Sequence, residues 1–134
     1  MIDPALSSLG ARVVLATSSD EIYPPENIID GNTETFWIST GMFPQEFIIC
    51  FAESMKISRL TMHCYNVKTF KLEKSISDDA TDFEPISENE LEHMEGHLQT
   101  SDIPLNEMNA THLRFIITSG HDHFISVHRI SVER

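Results

Sequence analysis

Leu60-Thr61-Met62-His63-Cys64-Tyr65 places an apolar side chain at every second position. Successive side chains of an extended chain point to opposite faces, so the alternation predicts a half-buried strand with Leu60, Met62 and Cys64 facing inward. The same period recurs on either side of this segment. Phe70 and Leu72 alternate with Lys71 and Glu73, and Leu113, Phe115 and Ile117 alternate with Arg114 and Thr118. Val13 to Thr17 and Phe47 to Phe51 are continuous apolar or β-branched runs of strand length, which predicts strands in the middle of a sandwich. Between Ile125, Val127 and Ile130, Val132 the apolar phase slips by one residue. A strand with that pattern needs a bulge or bend to keep both pairs inward. No segment carries a convincing amphipathic helix. Short strands separated by Pro, Asn, Asp and Ser clusters, without repeats or alternating helices, predict an all-β, antiparallel β-sandwich.

The length of 134 residues suits one domain, residues 1–134, around one core. Apolar residues make up 40% and charged residues 22%, the usage of a packed globular chain. Asp and Glu number 21 against 9 Lys and Arg, a net charge of -12. That field repels nucleic acid phosphates and anionic headgroups, so nucleic acid is not an expected partner. The longest apolar run, Phe47 to Ala52, falls far short of the roughly 18 residues that cross a bilayer. No direct membrane insertion is expected, and Met1 to Gly10 lacks a signal pattern. Cys50 and Cys64 sit in strand-like segments without C-x-x-C spacing. They are read as small buried hydrophobes in an intracellular, reducing setting. The acidic stretch Ser77 to Glu95 reads as a solvated surface hairpin or partly mobile loop, and Ser101 to Asn109 as a connection.

Seven histidines raise the question of an enzyme. His121 and His123 would share a strand face and His93 and His97 a helix face, so either pair could begin a zinc site. Neither completes one: His93-Met94-Glu95-Gly96-His97 is not a zinc protease motif, and Gly96 weakens the helix it would need. The sequence has no G-x-S-x-G elbow, Walker loop or dinucleotide fingerprint. No catalytic residue is assigned.

The stretch Ser18 to Trp37 is the most informative for function. Pro24 and Pro25 set an extended or turn backbone, and Asp30-Gly31-Asn32 suits a tight turn with Gly31 at positive φ. Calcium takes about six to eight oxygens, and Asn27, Asp30, Asn32 and Thr35 lie close enough to ring one ion. The EF-hand template fails, because Thr35 and Gly41 stand where it needs Gly and Glu. From spacing alone the stretch is read as an Asx-rich turn without a metal. Trp37, the only tryptophan, is expected to anchor this turn against the core.

Asn27-Ile28-Ile29-Asp30-Gly31-Asn32 with Thr35 and Trp37, then Gln45-Glu46-Phe47-Ile48-Ile49, and the closing Leu113-Arg114-Phe115 and Ser126-Val127-His128-Arg129-Ile130 resemble a discoidin, or coagulation factor 5/8 type C, domain. The resemblance spans nearly the whole chain. It implies a jelly-roll β-sandwich of galactose-binding-like architecture and one structural calcium ion at Asn27, Asp30, Asn32 and Thr35. Where relatives often supply a further carboxylate from the last strand, this sequence has Arg129, with Glu133 four residues on.

Longer runs, Leu15 to Glu21, Pro24 to Asn32, Thr40 to Phe51 and Asp122-His123-Phe124 with Ser126-Val127-His128, are similar to the intraflagellar transport branch of that family. That similarity implies a non-catalytic subunit of complex B, in cilium and cytoplasm, paired with a Rab-like small GTPase, intraflagellar transport protein 27. The expected docking surface is a strand face or sheet edge rather than the calcium turn, such as the row Thr61, His63, Tyr65 beside Lys71 and Glu73. The alternative is a carbohydrate- or lipid-binding module, the better known occupation of discoidin domains. Ser18 to Phe51 contains no Lys or Arg to meet an anionic membrane.

Overall fold

The computed structural model describes residues 3–18, 20–39 and 42–134. Its strands are β1 (Arg12–Ala16), β2 (Trp37–Ile38), β3 (Gln45–Tyr65), β4 (Val67–Ser75), β5 (Glu84–Glu90), β6 (Gln99–Gly120) and β7 (Ser126–Glu133). Short 3-10 turns occupy Ser7–Leu9 and Pro25–Ile29. Every strand pairing is antiparallel.

β3 and β6 build the sandwich because each is long enough to serve two layers. The first part of β3, around Phe47 to Cys50, lies between β1 and the second half of β6. Its last part, Arg59 to Tyr65, lies between β7 and the start of β6. The register breaks between Cys50 and Met55 and again between Ile57 and Arg59. Opposite the second break, Asn106 and Glu107 take left-handed backbone with φ of 50° and 57°. The ribbon folds over at this point. One layer holds β1, β3, β6, β4 and β5; the other holds β2, β7, β3 and β6.

The alternating residues fill the space between the layers as expected. Leu60, Met62, Cys64, Phe70, Leu72, Leu113, Phe115 and Ile117 are all buried in one cluster. Phe47 and Phe115 face each other across β3 and β6 with stacked rings 4.7 Å apart. Trp37, fully buried on β2, meets Phe47 edge-on at 5.3 Å and donates its Nε1 hydrogen to the Ser18 carbonyl at 2.9 Å. The tryptophan therefore joins the two layers, as its place after Thr35 and Phe36 suggests. Burying an aromatic of this size contributes roughly 1.5 to 3 kcal/mol.

Three segments differ from the sequence expectation. β1 is an edge strand paired only with β3, and Val14 and Leu15 are about two-fifths exposed. A continuous apolar run cannot by itself tell a central strand from an edge with an open outer face. Ser101 to Asn109 belongs to β6 and is no connection. Ser101, Ile103 and Leu105 point inward while Asp102 and the proline at 104 point out, an alternation that the proline masks. The acidic stretch supplies β5, which pairs with β4 at a sheet edge, so its surface-hairpin reading holds. Both cysteines are free, and burial pushes the Cys64 thiol up to about 12.

His63 gives the fold a pH dependence. It sits across from Arg129 on β7, and its Nδ1 is buried without a hydrogen-bond partner among the described residues. Burial, and then the Arg129 guanidinium, hold its pKa below the ordinary 6.5, although Asp102 opposes them. The unfolded chain therefore binds this proton more readily. The associated stability is complete above 6.5 and declines as pH falls from there toward the folded-state value. Urea midpoints measured on either side of 6.5 should show this decline, and His63→Gln should flatten it.

Candidate functional site: an aromatic cleft beside the Asp30 turn

Pro25 opens the 3-10 turn Pro25–Ile29, and buried Ile28 and Ile29 pin it to the core. Gly31 follows at φ 78°, where a Cβ would meet Leu6 at 2.8 Å. Only glycine satisfies both demands. Asp30 Oδ1 accepts the Asn32 N–H at 2.9 Å, and its Oδ2 accepts the Thr35 hydroxyl at 2.5 Å. The Thr35 Oγ1 also lies 3.0 Å from the Asn32 carbonyl. Oxygens of Asp30, Asn32 and Thr35 thus converge on one face of the turn. Asn32 Oδ1 accepts the Glu34 N–H, while Asn27 donates its amide to the Phe36 carbonyl at 3.0 Å, fastening the far end. Arg129 pairs with Asp3 at 3.0 Å and reaches toward the Gly31 carbonyl at 3.5 Å.

The expected bulge in the last strand is present, and it falls at His128. Arg129 pairs with His63 and Val127 with Cys64, so His128 is the extra residue between them. Ile125, Val127, Ile130 and Val132 all remain buried. A bulge re-aims its side chain. Here the imidazole reaches back to the turn, with Nδ1 2.8 Å from the Thr33 carbonyl and Nε2 3.1 Å from the Ser126 hydroxyl. A carbonyl only accepts, so Nδ1 carries the hydrogen, while the Ser126 hydroxyl can either donate to Nε2 or accept from it.

The His128 ring lies 4.8 Å from Phe36, which stacks on Tyr23 at 4.5 Å. These three rings form one wall of a cleft of about 480 Å³. Tyr65 at the end of β3, Leu98 before β6 and Phe124 before β7 line the rest with Ile38, Gly96, His97 and Ser126. Gln99 secures the loop at Leu98. Its amide donates to the carbonyls of Val67 and Glu92, each at 2.8 Å, and accepts the Val67 N–H at 3.0 Å.

The histidine pairs do not form the faces that their spacing suggested. Residues 91–98 are loop, and His121 and His123 lie in the turn between β6 and β7. His121 instead meets His93 edge-on at 5.3 Å and Leu91 O at 2.9 Å. Among the described residues no group of three or more His, Cys, Asp or Glu is placed to hold a metal ion. No helix among them is long and apolar enough to cross a membrane. The cleft was not foreseen from sequence, since its walls come from separate segments. Its one advance signal was the phase slip at His128.

The F5/8 type C domain matches residues 14–130. The chain belongs to that family. It is 58% identical over 132 residues to the human intraflagellar transport protein 25 homolog, covering 98% of this chain and 92% of that protein. It is 41% identical over 132 residues to intraflagellar transport protein 25 of Chlamydomonas reinhardtii, covering 98% and 69%. In structure it is similar to a Clostridium perfringens CBM32 module solved with GalNAc-beta-1,3-galactose, with TM-score 0.84 and 20% identity over 99% and 100% of the two chains. A chitosan-binding module from Paenibacillus gives TM-score 0.83 and 18% identity over the full length of both. At these identities the likeness establishes the jelly-roll sandwich alone.

Proposed function

We propose that this chain is a non-catalytic subunit of intraflagellar transport complex B that works at the cilium by pairing with a Rab-like small GTPase, intraflagellar transport protein 27. The observation that carries this reading is the near end-to-end identity with the human intraflagellar transport protein 25 homolog. Its mechanism is surface complementarity, and no bond-making chemistry is assigned. Exposed apolar side chains support the reading: Ile22 is 75% and Met42 88% exposed, with Phe124 also open to solvent. The expected outcome of a pull-down is capture of the GTPase at near-equal stoichiometry. A monodisperse, folded chain that fails to retain it at micromolar concentrations would overturn the proposal.

The same reading includes one structural calcium ion at the Asp30 turn. The convergent oxygens of Asp30, Asn32 and Thr35 suit a hard cation, and Asn27, whose amide holds the Phe36 carbonyl, is the fourth candidate residue. When bound, the ion would supply the positive charge that ties these oxygens together. Asp30 is the one carboxylate among these four, and the Arg129 guanidinium lies beside the turn, so affinity should be modest. At a hundredfold excess over Kd, bound calcium stabilises the fold by about 2.7 kcal/mol. Calcium should raise the wild-type melting temperature, and Asp30→Ala should abolish the rise; a wild type indifferent to calcium ends this part of the proposal.

A second reading, carbohydrate binding, is favoured by the stacked Tyr23 and Phe36 rings on the cleft wall. Titration with galactose distinguishes it from partner docking.

A further inference from the structure

We propose that the aromatic cleft receives a cationic side chain, Arg or Lys, presented by a partner protein on an apolar segment. This inference rests on the reading of the chain as a binding subunit and names the surface and the chemistry that the partner must bring.

The cleft offers ring faces and almost no cationic competition. Phe36 is flanked by Tyr23 and His128, so the rings left to meet an occupant are Tyr23, Tyr65 and Phe124, and the negative face of an aromatic ring attracts an ammonium or guanidinium. His128 has both ring nitrogens engaged, by the Thr33 carbonyl and the Ser126 hydroxyl. Apart from Tyr65, the lining residues come from Val13 to Met55, Ile76 to Leu113 and Phe115 to His128, stretches without a single Lys or Arg. The same stretches expose Glu21, Glu26, Glu34, Glu92, Glu95 and Asp122. An anionic or phosphate-bearing occupant would find no Lys or Arg among the lining residues. A cation is drawn in and then desolvated among the rings.

The cleft also has the form of an interface anchor point. A volume of about 480 Å³ holds one or two large side chains. Ile22 and Phe124 present exposed apolar surface next to it, which suits apolar residues flanking the cation. The strand faces that the sequence suggested for docking are already committed. Arg114 joins Glu46 at 2.7 Å and Glu73 at 3.2 Å, Thr61 donates to Asp102 at 2.6 Å, and Lys71 lies 3.6 Å from Glu88. Their charges answer one another and leave little for a partner.

The test is an NMR titration of the intact chain with three probes: a short Leu- and Arg-containing peptide, the same peptide with Glu for Arg, and galactose. The Arg peptide should shift the ring signals of Tyr23, Phe124 and His128 and bind about tenfold tighter than its Glu counterpart. Phe124→Ala should weaken it about tenfold and Phe124→Trp should restore it, with Trp37 emission confirming that Phe124→Ala is folded. Equal binding of both peptides, ring shifts with galactose alone, or no shift with any probe overturns the inference. A pull-down of the GTPase with the same variants separates it from the partner reading. Capture undiminished by Phe124→Ala refutes the cleft and leaves the pairing intact, whereas peptide binding without GTPase capture refutes the pairing and leaves the cleft.

Discussion

Trp37→Ala lowers the unfolding free energy by about 3 to 5 kcal/mol, the cost of truncating a large buried aromatic. The ring is fully buried, meets Phe47 across the layers and donates to the Ser18 carbonyl. Removing it opens a cavity where β2, a two-residue strand, has little else to hold it. A domain of this size is stable by about 5 to 15 kcal/mol, so the variant should sit near the edge of folding. Urea denaturation followed by circular dichroism measures the loss, and the wild-type protein should show blue-shifted, poorly quenched tryptophan emission. A loss below about 1 kcal/mol would mean that the layers are joined by other contacts.

Gln99→Leu has the second largest expected effect. The amide is buried, and its three bonds to Val67 and Glu92 are joined by a weak contact from Cys64 Sγ at 3.5 Å. Leucine fills the space but deprives the Val67 N–H of its side-chain acceptor and two carbonyls of a donor, for about 2 to 3 kcal/mol in all. Gln99→Glu should cost at least as much as leucine, because a buried carboxylate would face the Val67 and Glu92 carbonyls with no hydrogen to give either. The loss at Glu92 should also loosen the loop that carries His97 and Leu98 to the cleft. Faster amide hydrogen exchange at residues 92–98, with β7 unchanged, would show that coupling; identical exchange throughout would show that the amide serves stability alone.

Most of the fold was legible because its signals are local. Leu60, Met62 and Cys64, or Leu113, Phe115 and Ile117, declare a buried face within a few residues, and the slip between Val127 and Ile130 declared the bulge. What escaped depends on neighbours. The run Val13 to Ala16 reads the same whether or not another strand covers it, and the bend at Asn106 and Glu107 hid the continuity of β6. At the turn, Asp30, Asn32 and Thr35 were close enough in sequence to be associated before their geometry was known. The cleft was not, because Tyr23, Phe36, Tyr65 and Phe124 meet only after β2, β3 and β7 have been laid side by side.

The bulge at His128 has a further consequence for how this chain is free to vary. If His128 were absent, Ile125, Val127, Ile130 and Val132 would fall into unbroken alternation and the core would keep every one of its anchors. The sheet has no use for the residue. The ring beside Phe36 and the clasp on Thr33 both depend on it. A chain one residue shorter here would make the more regular strand and the poorer cleft, so this position can alter the cleft without disturbing the core beneath it.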